Sequence, residues 1–214
     1  VDMRLRPSGR SGPVATSVNG FVEYQKNEAW IWEHMALLRA RVVAGSAEVI
    51  EAAEAAIVDS LELPHENAAI IKAVNEMRVR LAEAKAKDAA NPWEVKFGAG
   101  RLMDVELLLQ AGVLMCGLND TRRPAEMAVA LADHGWLTAA EGRKIYDALS
   151  LFATLQQIGR LAVEGGFTPQ KAGRGVMAMV LKATEKSNID DLLAALQAAQ
   201  TEMLQIINRC LPED

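Results

Sequence analysis

The chain has 214 residues, half of them hydrophobic but only 5% aromatic, and its 23 Lys and Arg against 28 Asp and Glu give a formal net charge of -5. Non-specific nucleic-acid binding needs clustered cations, and the chain has no basic run, so we expect no nucleic-acid partner. No apolar stretch approaches the roughly 20 residues that cross a bilayer, and no signal peptide is present, so we expect no membrane association. Cys116 and Cys210 lie far apart without metal-binding spacing, which predicts two reduced thiols in a cytoplasmic protein.

The first six residues alternate between apolar and charged side chains: Val1, Met3 and Leu5 against Asp2, Arg4 and Arg6. This period predicts a half-buried strand with its three charges on one face. A lone strand leaves its backbone donors and acceptors unpaired, so we expect residues 1–17 to be the end of a domain that begins upstream. The charged face has two open interpretations: an ion-pair cluster, or a metal-binding carboxylate beside cations for phosphate.

The pattern of residues 18–214 predicts a succession of helices, because Ala and Leu are abundant and apolar residues recur at helical spacing. Helix ends are marked by Gly45 and Ser46, by Pro124, and by a Thr138–Glu141 capping box. The predicted helices cover about 18–43, 46–59, 66–89, 102–116, 124–134, 138–164, a segment from 168, and 187–211. We therefore expect an all-α domain, a bundle of about seven or eight helices, with the largely apolar 102–116 helix at its centre.

Few residues in the helical part indicate chemistry. His34, His65 and His134 each lack a second histidine at helical spacing, so we expect surface or helix-end side chains. Gly98 and Gly100 precede a helix, which fits either an anion site or a tight structural turn, and we favour the turn. Asp104 and Glu106 are two residues apart, so they point in different directions on a helix and form a poor acid–base pair.

Three segments carry a resemblance to a known family. They are Asp2-Met-Arg-Leu-Arg-Pro-Ser-Gly9, Glu23 to Arg41 with its Asn27-Glu-Ala-Trp-Ile-Trp-Glu-His34 core, and Lys96-Phe-Gly-Ala-Gly-Arg-Leu-Met-Asp-Val-Glu106. Together they closely resemble the C-terminal, adenylylating half of glutamine synthetase adenylyltransferases. The third segment is similar to the family's Lys-x-Gly-x-Gly-Gly-x-x-Asp-Ile-Glu signature.

The resemblance implies a nucleotidyltransferase domain of the DNA polymerase β type followed by a helical domain. It implies ATP as substrate, Mg²⁺ as cofactor, transfer of AMP to a tyrosine of glutamine synthetase, a PII-type signal protein as second partner, and glutamine as an effector. Asp2 matches the third of three Mg²⁺-binding carboxylates, and Arg4 and Arg6 are expected to hold phosphate or the protein substrate. The other two carboxylates come from a Gly-Ser-Asp-x-Asp motif that is absent from this sequence. We therefore expect the fragment to be inactive alone and to support the active site and bind partners.

Other residues are further candidates for the site: Arg39, Arg41, Lys96, Asp104 and Glu106. Arg39 and Arg41 are expected to reach the active site or to be an exposed pair. Arg101 stands where the family usually has Gly, and Leu107 where Phe is usual. These departures favour a structural turn at residues 98–101 that docks the bundle against the preceding domain.

Two alternatives remain. The first is the helical domain of a PII uridylyltransferase-type nucleotidyltransferase, against which the Asn27–Trp30 segment argues. The second is a non-enzymatic helical protein-interaction module.

Overall fold

The computed structural model describes residues 6–119, 123–163 and 167–212. Within these residues the chain forms ten α-helices, one short 3-10 helix at Gly9–Ser11, and no strand. The helices are α1 Val18–Asn27, α2 Ile31–Leu37, α3 Ala47–Leu61, α4 Asn67–Ala84, α5 Ala86–Ala89, α6 Leu102–Cys116, α7 Pro124–His134, α8 Ala139–Ala162, α9 Arg174–Ala183 and α10 Ile189–Cys210. The all-α fold is confirmed. The predicted strand lies outside the described residues except for Arg6, which is in a bend.

The single helix predicted over 18–43 is wrong, because the chain forms α1 and α2 with a break between them. At the break, Trp30 adopts an extended backbone, with φ of -84° and ψ of 155°. The Glu33 carboxylate accepts a hydrogen bond from the Trp30 backbone N–H at 2.9 Å, which starts a new helix. Glu33 also accepts a bond from the Tyr24 hydroxyl at 2.9 Å and so ties α2 back to α1.

Two further helix predictions need correction. The helix predicted over 66–89 is interrupted at Lys85, whose φ of -120° separates α4 from α5. The helix predicted to begin at Thr168 begins instead at Arg174. Thr168 starts a turn, because its carbonyl accepts hydrogen bonds from the N–H groups of Lys171 and Ala172. The breaks at Trp30 and Lys85 add two helices to the eight predicted ranges, which gives the ten helices of the described residues.

The core is organised around α6, as the sequence predicts. This helix packs against α2, α4, α7, α8 and α10. Its residues Val105, Leu108, Leu109, Ala111 and Val113 have no solvent exposure. Burial on most sides explains why the segment is largely apolar, since most of its faces meet another helix. No helix in the described ranges has the length and apolar character needed to cross a bilayer.

The turn before α6 is in direct contact with α10. Gly100 has a φ of 68°, in the left-handed region that favours glycine. A Cβ atom at this position would collide with the backbone carbonyl of Gln200 on α10. Gly100 therefore serves both the turn and the close approach of two backbones.

We expect Gly100→Ala to be much more destabilising than Gly117→Ala. Gly117, the residue after α6, has nearly the same φ of 66°, but nothing lies within 4 Å of the Cβ that alanine would add. Gly117→Ala should cost about 1–2 kcal/mol of unfolding free energy from backbone strain alone. Gly100→Ala should cost about 3 kcal/mol or more, because it adds a steric clash. Urea unfolding of both variants measures the difference; equal losses would contradict the contact with Gln200.

Candidate functional site

A cleft of about 800 Å³ opens among α1, α2, α4, α6 and α8, and we refer to it as the central cleft. We call the apolar lining residues of the cleft its floor; they include Phe21, Leu37, Met77, Leu81, Met103 and Leu107. Its charged lining residues are Arg6, Glu33, Arg39, Lys96, Glu106 and Arg160. The cleft therefore combines a hydrophobic base with more cations than carboxylates at its walls.

The structure brings four of the sequence-predicted site residues to this cleft: Arg6, Arg39, Lys96 and Glu106. It does not bring all of them there. Arg41 is exposed and does not line the cleft, and Asp104 is directed toward α4. Asp2 and Arg4 lie outside the described residues, so their predicted roles stay predictions.

Glu106 forms an ion pair with Arg39, with 2.7 Å between Oε2 and Nη1. The pair links α6 to the segment that follows α2. The Arg39 side chain is 46% exposed and that of Glu106 is 14% exposed. Such a partly solvated pair contributes little stability, so its main effect is to fix the direction of both side chains at the cleft wall.

Asp104 forms a separate and more buried ion pair with Arg78 of α4. The Arg78 Nε lies 2.6 Å from Asp104 Oδ1, and the side chains are only 14% and 9% exposed. The other Asp104 oxygen accepts the Gly100 backbone N–H at 2.9 Å. As their spacing predicts, Asp104 and Glu106 point to different places, and each binds an arginine from another element.

The turn at residues 96–103 uses most of its own backbone donors. The N–H groups of Lys96 and Phe97 donate to the Glu94 carboxylate, and that of Gly100 donates to Asp104. The N–H groups of Arg101, Leu102 and Met103 donate to the carbonyls of Gly98, Val95 and Lys96. A phosphate cradle needs several free N–H groups that point at the anion. Because most of its N–H groups are engaged within the protein, the geometry favours a structural turn, which approaches α10 at Gly100.

Arg101, where the family usually has Gly, takes part in the same turn. Its Nη1 donates to the Phe97 carbonyl at 2.9 Å, and its side chain lies against Gly98. Burial lowers the pKa of this guanidinium, an effect that the charge of Glu94 opposes. Leu107, the second departure, lies in the cleft floor.

The structure places His34 and His65 in contact, which the sequence did not predict. His34 Nδ1 lies 2.8 Å from His65 Nε2, and His34 Nε2 lies 3.0 Å from the Gln25 carbonyl oxygen. The sequence predicts a surface or helix-end side chain for His34; this residue lies in the last turn of α2 but is buried. Burial lowers the pKa of both imidazoles, and the charge of His34 lowers that of His65 further. Helical spacing did not reveal the pair because the two residues lie on α2 and on the loop before α4.

The remaining titratable residues fit the sequence predictions. His134 ends α7. Cys116 and Cys210 are free thiols. Burial raises the pKa of the Cys116 thiol and raises the pKa of Cys210 to about 11. Both thiols are therefore expected to be poor nucleophiles at neutral pH.

We expect Asp104→Asn to destabilise the fold far more than Glu106→Gln. The first change leaves the Arg78 charge in a nearly dry site and should cost about 3 kcal/mol of unfolding free energy. The second removes a partly exposed pair and should cost at most about 1 kcal/mol. Denaturant unfolding of each variant gives both values. A loss for Glu106→Gln as large as that for Asp104→Asn would show that burial does not separate the two pairs.

We expect the free energy of unfolding to fall as the pH is lowered from 7 to 5. The unfolded histidines have a pKa of about 6.5, and the folded His34 and His65 have lower values, so the unfolded chain takes up protons first. The double variant His34→Gln, His65→Leu should lose most of this pH dependence. The control His134→Gln should keep it. An unchanged decline in the double variant would exclude the pair as its source.

Comparison with known proteins finds similarity to one enzyme family. Residues 1–56 match the family model described as glutamate-ammonia ligase adenylyltransferase. The whole chain is 35% identical over 218 residues to a bifunctional glutamine synthetase adenylyltransferase/adenylyl-removing enzyme of Rhodopseudomonas palustris, and covers 22% of that protein. Similarly named proteins are 35% identical over 99% of the chain in Bradyrhizobium diazoefficiens and over 92% of the chain in Rhizobium meliloti.

The chain covers 21% and 20% of these two proteins, so it spans about a fifth of the length of the curated relatives that it matches. The similarity is not confined to the first segment, since it extends through α10. The resemblance to the glutamine synthetase adenylyltransferase family that the sequence predicts is therefore confirmed over the whole length of the chain.

Proposed function

We propose that this chain is part of an ATP-dependent nucleotidyltransferase that attaches AMP to a tyrosine of glutamine synthetase and so regulates nitrogen assimilation. The observation that carries the proposal is the 35% identity, over the full chain, to a protein named bifunctional glutamine synthetase adenylyltransferase/adenylyl-removing enzyme. We assign residues 1–17 to the end of the catalytic domain and residues 18–214 to the helical domain of the C-terminal, adenylylating half. In this proposal the helical part alone has no activity.

The proposed reaction transfers AMP to a tyrosine oxygen, which attacks the α-phosphorus of ATP as pyrophosphate leaves. Mg²⁺ would neutralise charge at the phosphates when bound. Asp104 and Glu106 do not fit a Mg²⁺ site, because each is held by an arginine. In the described ranges no three His, Cys, Asp or Glu side chains group to hold a metal. Asp2, which the family resemblance matches to the third metal-binding carboxylate, is the metal ligand that we propose from this chain, with the others supplied from outside it.

The position of Arg6 connects the proposed catalytic residues to the helical part. Arg6 lines the central cleft, and Asp2 precedes it by four residues. Asp2 and Arg4 lie outside the described residues. We propose Asp2 as a metal ligand, and Arg4 together with Arg6 as side chains that hold phosphate or the protein substrate. In this proposal the helical bundle, built on α6, supports the active site.

We extend the proposal to partners and location through the family alone. Glutamine synthetase is the proposed substrate, a PII-type signal protein the proposed regulator, and the cytoplasm the proposed site of action. The similarity over all of residues 18–214 favours this function over a PII uridylyltransferase or a purely structural interaction module.

The test is AMP transfer from labelled ATP to glutamine synthetase by the longer polypeptide that contains this chain. Asp2→Asn should lower the rate by at least about a hundredfold, because it removes a proposed metal ligand. The control Asp133→Asn changes an exposed aspartate at the end of α7 and should have no effect.

Thermal unfolding of both variants should be unchanged, which separates a catalytic loss from a folding defect. If the Asp2→Asn variant keeps normal activity, Asp2 is not a metal ligand and acts only as an ion-pair partner. Absence of transfer by the unaltered polypeptide would overturn the proposed function and favour an interaction module.

A further inference from the structure

We propose that the central cleft holds the segment of the target protein that carries the acceptor tyrosine, and that this segment is acidic and partly apolar. The carboxylates of this segment would pair with Lys96 and Arg160, two cationic lining residues that we call the rim of the cleft. The identity of the target rests on the proposed function; the chemistry of the occupant is argued from the cleft itself.

The charges of the cleft favour an acidic occupant. Arg39 is already paired with Glu106. The carboxylate of Glu33 is engaged by the Tyr24 hydroxyl and the Trp30 N–H. Among the residues that the structure describes, no carboxylate forms an ion pair with Lys96 or Arg160. The described lining residues comprise four cations and two carboxylates, and this excess of positive charge complements a negatively charged segment.

The contacts of the Lys96 ammonium leave it able to bind a carboxylate of the occupant. Its ammonium lies 4.8 Å from the centre of the Phe97 ring, and the Lys85 ammonium lies 4.9 Å from the same centre. A cation–π contact restrains the ammonium at the rim without neutralising it, because an aromatic ring carries no net charge. Lys96 remains able to bind a carboxylate.

The floor favours a peptide over a small anion. Met77 and Met103 lie among leucine side chains there, and methionine adapts to varied apolar partners. The volume of about 800 Å³ accommodates several side chains. A segment with one or two apolar residues between acidic ones matches this base and its rim.

Gln25 contributes a buried polar group to the cleft lining. This residue is only 5% exposed. Its side-chain oxygen Oε1 is buried, and no donor within the described residues reaches it. An occupant of the cleft could bond to Oε1 only after the Gln25 side chain rotates, so the acidic character of the segment is inferred from the charges and the apolar lining.

The turn at residues 96–103, which borders the cleft, also favours a protein segment over a phosphate as the occupant. Phosphates are usually bound by several free backbone N–H groups, often at a helix N-terminus. Here the N–H groups of Leu102 and Met103, at the start of α6, donate to carbonyls of the preceding turn. The cleft offers ammonium and guanidinium side chains on an apolar base, which suits carboxylates of a protein segment.

The test compares Lys96→Glu and Arg160→Glu with Arg143→Glu in the longer polypeptide. Arg143 lies on α8 like Arg160 and is exposed, but does not line the cleft. The first two changes should each raise the KM for glutamine synthetase roughly tenfold, because they replace attraction by repulsion at the rim. The KM for ATP should stay within about twofold, and Arg143→Glu should leave both constants unchanged.

Three outcomes would overturn the inference while leaving the proposed function standing. The first is an unchanged KM for glutamine synthetase in both cleft variants. The second is a rise confined to the KM for ATP, which would assign the cleft to the nucleotide. The third is an equal effect of Arg143→Glu, which would indicate general surface charge.

Direct titration of glutamine synthetase separates failure of this inference from failure of the proposed function. If the unaltered polypeptide binds glutamine synthetase but transfers no AMP, weaker binding by both cleft variants would still support the inference, and equal binding would overturn it. Absence of binding by the unaltered polypeptide would overturn it as well. Lys96→Gln and Arg160→Gln serve as milder changes should charge reversal prevent folding.

Discussion

The carboxylate of Asp104 accepts hydrogen bonds from Arg78 on α4 and from the backbone of Gly100, and so joins α4, the turn and α6 at one nearly dry point. A buried carboxylate is tolerated only when its charge is balanced and its oxygens are bonded, and both conditions are met here. Because α6 packs against five other helices, these bonds act at the start of the central helix of the core. The ion pair adds directional contacts there to the non-directional apolar packing.

The first turns of α6 lie between the buried junction with α4 and the central cleft. Asp104 faces the buried junction with α4, while Glu106 faces the central cleft. A spacing of two residues on a helix separates side chains by about 200°, which is what allows one short segment to serve both sides. The segment Lys96–Glu106 thus acts in folding and also supplies part of the cleft wall. Within it, Gly100 permits both the turn and the close approach of α10.

Local sequence signals predicted much of the fold. The Thr138–Glu141 capping box, Pro124 and the apolar run at residues 102–116 each act through neighbouring residues, and the structure confirms all three. The sequence does not reveal the break at Trp30, because the apolar periodicity continues across both helices although the Glu33 carboxylate starts a new one. The late start of α9 was missed because a turn at Thr168 uses the same residue types as a helix start.

The candidate site was less predictable, for a physical reason. Arg39 meets Glu106 and Arg78 meets Asp104 across separations of 67 and 26 residues, and periodicity within one helix cannot identify such partners. The resemblance indicated the signature residues but not which direction each faces. Gln25 was missed altogether, since a glutamine within an amphipathic helix gives no sign that its oxygen is buried and without a donor.

The contact between His34 and His65 has a consequence for how many protons it can hold. The Gln25 carbonyl can only accept, so His34 must carry a hydrogen on Nε2. In the neutral pair, His34 Nδ1 is then the acceptor and His65 Nε2 the donor. One added proton can settle on His65 Nδ1 with both bonds intact. A second would place hydrogens on both facing nitrogens, so the junction between α2 and the loop before α4 keeps its bond with one extra proton and loses it with two.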